Sequence, residues 1–142
     1  MYDMIVFDNE TDIDITHKLN NFELKTWLEH LTFIQKEISA LKKLFTLDLD
    51  DDVDGNDFLK KLDLIQKKNL QLFDELLNYK VSKPNDKLCE NYQCDLDLIS
   101  EHEIHRNNYL NYLKQYRNLK NQIHKAIYGE KNDYNQEDIR YK

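Results

Sequence analysis

FLKKLDLIQKKNLQLFDELLNY, residues 58 to 79, decides the fold. Phe58, Leu62, Ile65, Asn69, Leu72, Leu76 and Tyr79 recur at alternating steps of four and three. That spacing lines up one face of an α-helix, whereas a strand, with its period of two, would scatter the same residues over both faces. Asn69 is the one polar member, at a heptad position where a buried amide sets register at a cost in stability.

The same rhythm appears on either side. Upstream it runs through Leu24, Trp27, Leu31, Ile34, Ile38, Leu41 and Phe45; downstream through Ile99, His102, Arg106, Tyr109, Leu113, Tyr116, Lys120, Ile123 and Ile127. Three helices are expected, at about 20–46, 54–81 and 97–128. Two glycines and one proline in 142 residues leave too few turn residues for a many-stranded sandwich or barrel. Connections of ten to twenty residues between helices of similar length favour an all-α, antiparallel up-down-up three-helix coiled-coil bundle. Residues 1–18 stand outside the rhythm as an N-terminal extended arm, 19–129 form the bundle, and 130–142 read as a polar C-terminal tail.

Each helix is expected to open with a capping residue followed three positions later by an acid: Asn20 with Glu23, Asp54 with Asp57, Ser100 with Glu103. Pro84 stops the second helix, and Gly129 suits the position just past the third. Matching layers by rise stacks Ile34, Asn69 and Tyr109, so that Tyr109 satisfies the buried amide, and puts Arg106 beside Leu31 and Leu72.

The chain carries a net charge of −7, and its leading MYDMIVFDNE has no basic region and too short an apolar run for a secretory signal or a membrane span. A cytoplasmic protein is expected, with its two cysteines as thiols unless a metal takes them. Cys89, Cys94, His102 and His105 form C-x4-C-x7-H-x2-H, thiolates and imidazoles at a range that suits tetrahedral zinc. The spacing matches no common finger. A Cys89 to Cys94 disulfide, or small loop hydrophobes beside a boundary histidine, are the alternatives.

Asp50, Asp52, Asp54 and Gly55 resemble the opening of a calcium-binding loop, but Lys61 stands where a closing carboxylate belongs, so a solvated acidic loop is favoured. No Glu lies three residues before any histidine, which removes the di-iron pattern of helical bundles. His30 and Glu37, seven apart, flank the first apolar stripe as a boundary histidine and a solvated acid. Residues 104 to 128 contain Arg106, Lys114, Arg117 and Lys120 and no acid, interleaved with tyrosines, which is a pattern for tracking phosphates and stacking bases. Tyr109 and Tyr116 fall on heptad positions, however, and fit the core better.

QCDLDLISEHEIHRNNYLNYLKQYRNLK, with WLEHLTFIQKEI upstream, resembles a group of short, functionally uncharacterised helical bacterial proteins that carry a similar Cys-Asp, Glu-His-Glu, then Tyr and Leu pattern. The resemblance implies a helical bundle and no activity, and it draws attention to Cys94, His102 and Glu103. No phosphate loop or nucleophile elbow is present. The expectation is a small non-enzymatic interaction or scaffold protein, without a cofactor unless zinc, acting on a protein partner or on itself, with nucleic acid less favoured and no membrane.

Overall fold

The structure, a computed structural model, describes residues 11–47, 53–83 and 89–140, with side chains over 11–46, 55–83 and 89–129. The described residues form three helices, α1 (Asp12–Leu47), α2 (Val53–Ser82) and α3 (Tyr92–Arg140). Their packing is that of an all-α three-helix bundle.

Cross-helix contacts give the topology. Between α1 and α3 the bonded partners differ by a nearly constant 78 to 83 residues from one end of the seam to the other, so the two helices run parallel. Against α2 the order reverses. Tyr79 meets His102 whereas Lys61 meets Gln122, and Asn69 meets Leu31 whereas Asp63 meets Lys42. The chain therefore goes up, down and up.

All seven residues of the α2 heptad row are buried, as are Leu24, Trp27, Leu31, Ile34 and Ile38 of α1, with Leu41 and Phe45 half-buried at its end. On α3 the seam is wider than the expected row, because Tyr112 and Leu119 join Tyr109, Leu113, Tyr116 and Ile123 in the core. The added pair lies on the side that packs on α2, where the Tyr112 hydroxyl donates to the Ile65 carbonyl at 3.2 Å.

Two helix starts differ from expectation. α1 begins eight residues earlier than proposed, because Thr11 and Asp14 form a reciprocal box: the Thr11 hydroxyl accepts the Asp14 N–H at 3.1 Å and the Asp14 carboxylate accepts the Thr11 N–H at 3.3 Å. Asn20 is a buried residue within the helix and not its cap. Of the expected arm, residues 1–10 lie outside the described residues and 12–18 are helical. α3 is capped by Asn91, whose side-chain oxygen accepts the Cys94 N–H at 2.8 Å, so Ser100 too lies inside a helix. At the far end α3 passes through Gly129 to Arg140, taking in most of the stretch read as a tail. Of the acidic loop, Asp50, Asp52 and the side chain of Asp54 lie outside the described residues.

Candidate functional site

The seam between α1 and α3 is a polar ladder with a heptad repeat on both rails. Glu23, His30 and Glu37 on α1 face His102, Tyr109 and Tyr116 on α3, each pair separated by 79 residues. Four residues beyond the outer two, Arg106 and Lys120 reach back to Glu23 and Glu37. Below the ladder, the buried His17 ring meets Asp95 at 2.8 Å. Each rung joins a group from one parallel helix to a complementary group on the other, which a shift of α3 by one turn would break everywhere at once.

The lowest rung is the most elaborate. His102 is 1% exposed, stacked on Trp27 with ring centres 4.8 Å apart. Its Nε2 lies 2.8 Å from Glu23 Oε1 and its Nδ1 lies 2.8 Å from the Tyr79 hydroxyl. An ionised carboxylate only accepts, so Nε2 carries the proton and donates to Glu23, which leaves Nδ1 to accept from Tyr79. Burial pushes the His102 imidazole below its usual value, in keeping with a neutral ring, although Glu23 pulls it the other way. The Arg106 guanidinium closes on Glu23 with its Nε at 2.9 Å and a second nitrogen at 2.6 Å, and also bonds Glu103. Arg106, helped by His102, holds the Glu23 carboxyl below the usual carboxylate range against the opposing effect of burial. Burial also raises the Tyr79 hydroxyl to about 12. Tyr79 and His102 are buried, whereas Glu23 at the end of this chain of bonds is one-third exposed. Tyr79 lies between His102 and the stacked ring of His105, so the geometry orients side chains without presenting the tyrosine hydroxyl to solvent.

Higher up, His30 Nδ1 and the Tyr109 hydroxyl lie 2.5 Å apart. Burial, with Arg117 and Lys120 nearby, lowers the His30 imidazole. Glu37 accepts from Tyr116 and from Lys120, the latter at 2.9 Å; these bonds outweigh burial and keep its carboxyl low.

These contacts correct several sequence-based assignments. The zinc set is not assembled, because Cys89 and Cys94 are joined in a disulfide and both His102 nitrogens already have partners. His105 stacks on Tyr79 and approaches Glu101 at 4.0 Å. Among the described residues no group of three or more His, Cys, Asp or Glu is placed to hold a metal ion. Tyr109 does not satisfy Asn69. It turns to His30, and the Asn69 amide donates instead to the Leu31 carbonyl at 3.2 Å, leaving its own oxygen without a partner. Of the basic residues on α3, Arg106 and Lys120 belong to the ladder, whereas Lys114 and Arg117 are exposed. His30 and Glu37 are rungs of the ladder and not a solvated flank.

A second feature of α1 lies on its outer side. Leu19, Phe22, Phe33 and Leu44 are 62, 69, 58 and 51% exposed. Steps of three and then eleven residues return to nearly the same azimuth, since three helical turns take about eleven residues, so the four form a second apolar stripe turned away from the core. At its lower end Leu19 and Phe22 line an open groove of about 480 Å³ whose opposite side is Arg106 of α3. Comparison with family models, curated proteins and solved structures finds no match to this chain. No helix among the described residues is long and apolar enough to cross a membrane.

Proposed function

We propose that the protein is a small non-enzymatic helical interaction protein that receives a protein partner on the outer face of α1. One observation carries this reading: the row of large apolar side chains at Leu19, Phe22, Phe33 and Leu44, each more than half exposed. Single exposed leucines are ordinary, but aligned aromatic and leucine side chains over about 37 Å of one helix face are what a partner covers. The ladder supports the same reading, because it holds α1 in one register and so presents the stripe on a rigid element. The test is affinity purification from the source cells with the wild type and with a Phe22→Asp/Phe33→Asp variant. A specific co-purifying protein lost in the variant is expected, and identical recoveries from both would contradict the reading.

A second reading is favoured by the outer face of α3. Lys114 and Arg117 stand exposed there among Asn111, Gln115, Asn118 and Asn121, and no acid occurs from residue 104 to 128. Such a face suits a phosphate backbone. Salt-sensitive retention on single-stranded RNA, reduced by Lys114→Ala/Arg117→Ala, is the expected result; retention unchanged by the substitution contradicts it.

A further inference from the structure

The outer stripe of α1 has a row of lysines along one edge and the ion-paired ladder along the other. On one edge are Lys25, Lys36 and Lys43, all exposed, at steps of eleven and seven residues that keep them on a single azimuth. The other edge is the α3 side of the ladder, where Arg106 and Lys120 are held by Glu23 and Glu37. Lys120 bonds Glu37, which places it at the α1 seam, whereas Arg117 lines the outer face of α3. Three acids occur on α1 between Leu19 and Leu44, and two of them, Glu23 and Glu37, are ion-paired with Arg106 and Lys120. Glu29 is the third. A chain that is acidic as a whole, at −7, thus carries an exposed lysine row along one edge of its exposed apolar row.

We propose that this face binds an amphipathic α-helix of a partner protein whose apolar stripe is flanked by acidic residues, a proposal that rests on the docking reading above. The stripe from Leu19 to Leu44 matches a helix of about 25 residues, and apolar positions at helical spacing on one partner meet ridges of the other. Glutamates beside the partner's stripe meet the lysine edge, so charge selects the partner while apolar burial holds it. A second copy of this chain fits poorly. Pairing α1 with α1 would set the lysine rows against each other, where like charges are costly. An anionic lipid surface fits less well than a helix, because the row is about one side chain wide and its lower end is concave, whereas interfacial helices present a broad apolar face.

The test uses the full chain and two labelled synthetic peptides, both helical with leucine at every heptad core position, one with glutamate and the other with lysine at the flanking positions. Fluorescence anisotropy at low salt is expected to show saturable binding of the glutamate peptide, about tenfold or more tighter than the lysine peptide, with the preference shrinking as salt is added. Lys36→Glu/Lys43→Glu, both exposed positions, should reduce or reverse that preference at an unchanged melting temperature. Phe22→Asp/Phe33→Asp should weaken both peptides. Equal affinity for the two peptides, with loss in the Phe22→Asp/Phe33→Asp variant, overturns the acidic-helix proposal and leaves the docking face standing. Binding untouched by the Phe22→Asp/Phe33→Asp variant, or no binding at all, overturns the proposal; in the first case the docking face falls with it. Phosphatidylserine vesicles that bind more tightly than the glutamate peptide, or a concentration-dependent dimer broken by the same variant, also overturn it.

Discussion

α1 has two apolar faces, and the fold treats them oppositely. The inner face, with Leu24, Leu31, Ile34 and Ile38 at 0 to 2% exposure, is sealed against its neighbours. The outer face carries side chains just as large, in a sparser row of four, and leaves them in water. Composition does not separate the two faces, since each is built from leucine and aromatic or branched residues. What separates them is the polar border. On the inner side the ladder of Glu23, His30 and Glu37 locks α3 to the helix, while on the outer side the border is the exposed row of Lys25, Lys36 and Lys43 with Glu29 among them. A hydrophobic row of α1 thus lies in the core where complementary polar partners frame it, and stands in water where they do not.

The comparison can be broken most severely from inside. Leu31→Ala should cost about 2 to 5 kcal/mol, because a fully buried leucine leaves a cavity, and urea denaturation checks it. Next comes the clip before α3. The Cys89 to Cys94 bond spans a sequence separation of 5, for which the chain-entropy account gives about 2 kcal/mol, so the melting temperature should fall with dithiothreitol and should not respond in Cys89→Ser/Cys94→Ser. Mass spectrometry after alkylation without reductant shows whether isolated protein carries the bond, which reducing compartments ordinarily remove. Tyr116→Phe removes one rung to Glu37 and is expected to cost about 1 kcal/mol.

Changing pH probes the same border. Glu23, Glu37, His30 and His102 all bind protons more weakly in the fold than in the free chain. Their contribution to stability is complete above the ordinary histidine value of 6.5 and is lost as pH falls through 6.5, and then through 4.5, toward the lowered folded values. Tyr79 and Tyr112, raised from 10.0 to about 12, act in the other direction, so stability also declines as pH rises through that interval. A denaturation midpoint that stayed level between pH 7 and pH 4 would contradict the acid limb. The smallest effect belongs outside: Phe33→Asp should change stability by no more than about 0.5 kcal/mol, because it removes no buried contact.

Residue spacing was enough to read the three helices and their inner faces, since Phe58 to Tyr79 repeats without a break and all seven of its positions are buried. Helix starts were harder because the same capping grammar recurs inside helices. Asn20 with Glu23 and Ser100 with Glu103 look like caps, yet continued apolar packing carried the helix past both, and the working caps are Thr11 and Asn91. The ladder was only half legible. His30 and Glu37 showed the heptad step on one rail, but pairing Glu23 with His102 needs the parallel register of α1 and α3, which arises only once α2 is packed between their ends. Tyr79 completing the chain of bonds, and Tyr109 choosing His30 over Asn69, follow from that register and from no local signal. The cysteines were visible as a pair, but their bond to each other, and the engagement of His102 with Glu23 and Tyr79, follow from the packed arrangement and from no local signal.

The most direct test of the two-faced helix is photo-crosslinking in the source cells with benzoylphenylalanine at position 33 on the outer face of α1 and, as reference, at position 77 on α2, where Leu77 is 40% exposed outside the stripe. A discrete adduct with a second protein at position 33 and none at position 77 is the predicted result. Adducts at neither position, or the same adducts at both, would contradict the claim that the outer row of α1 is a docking face.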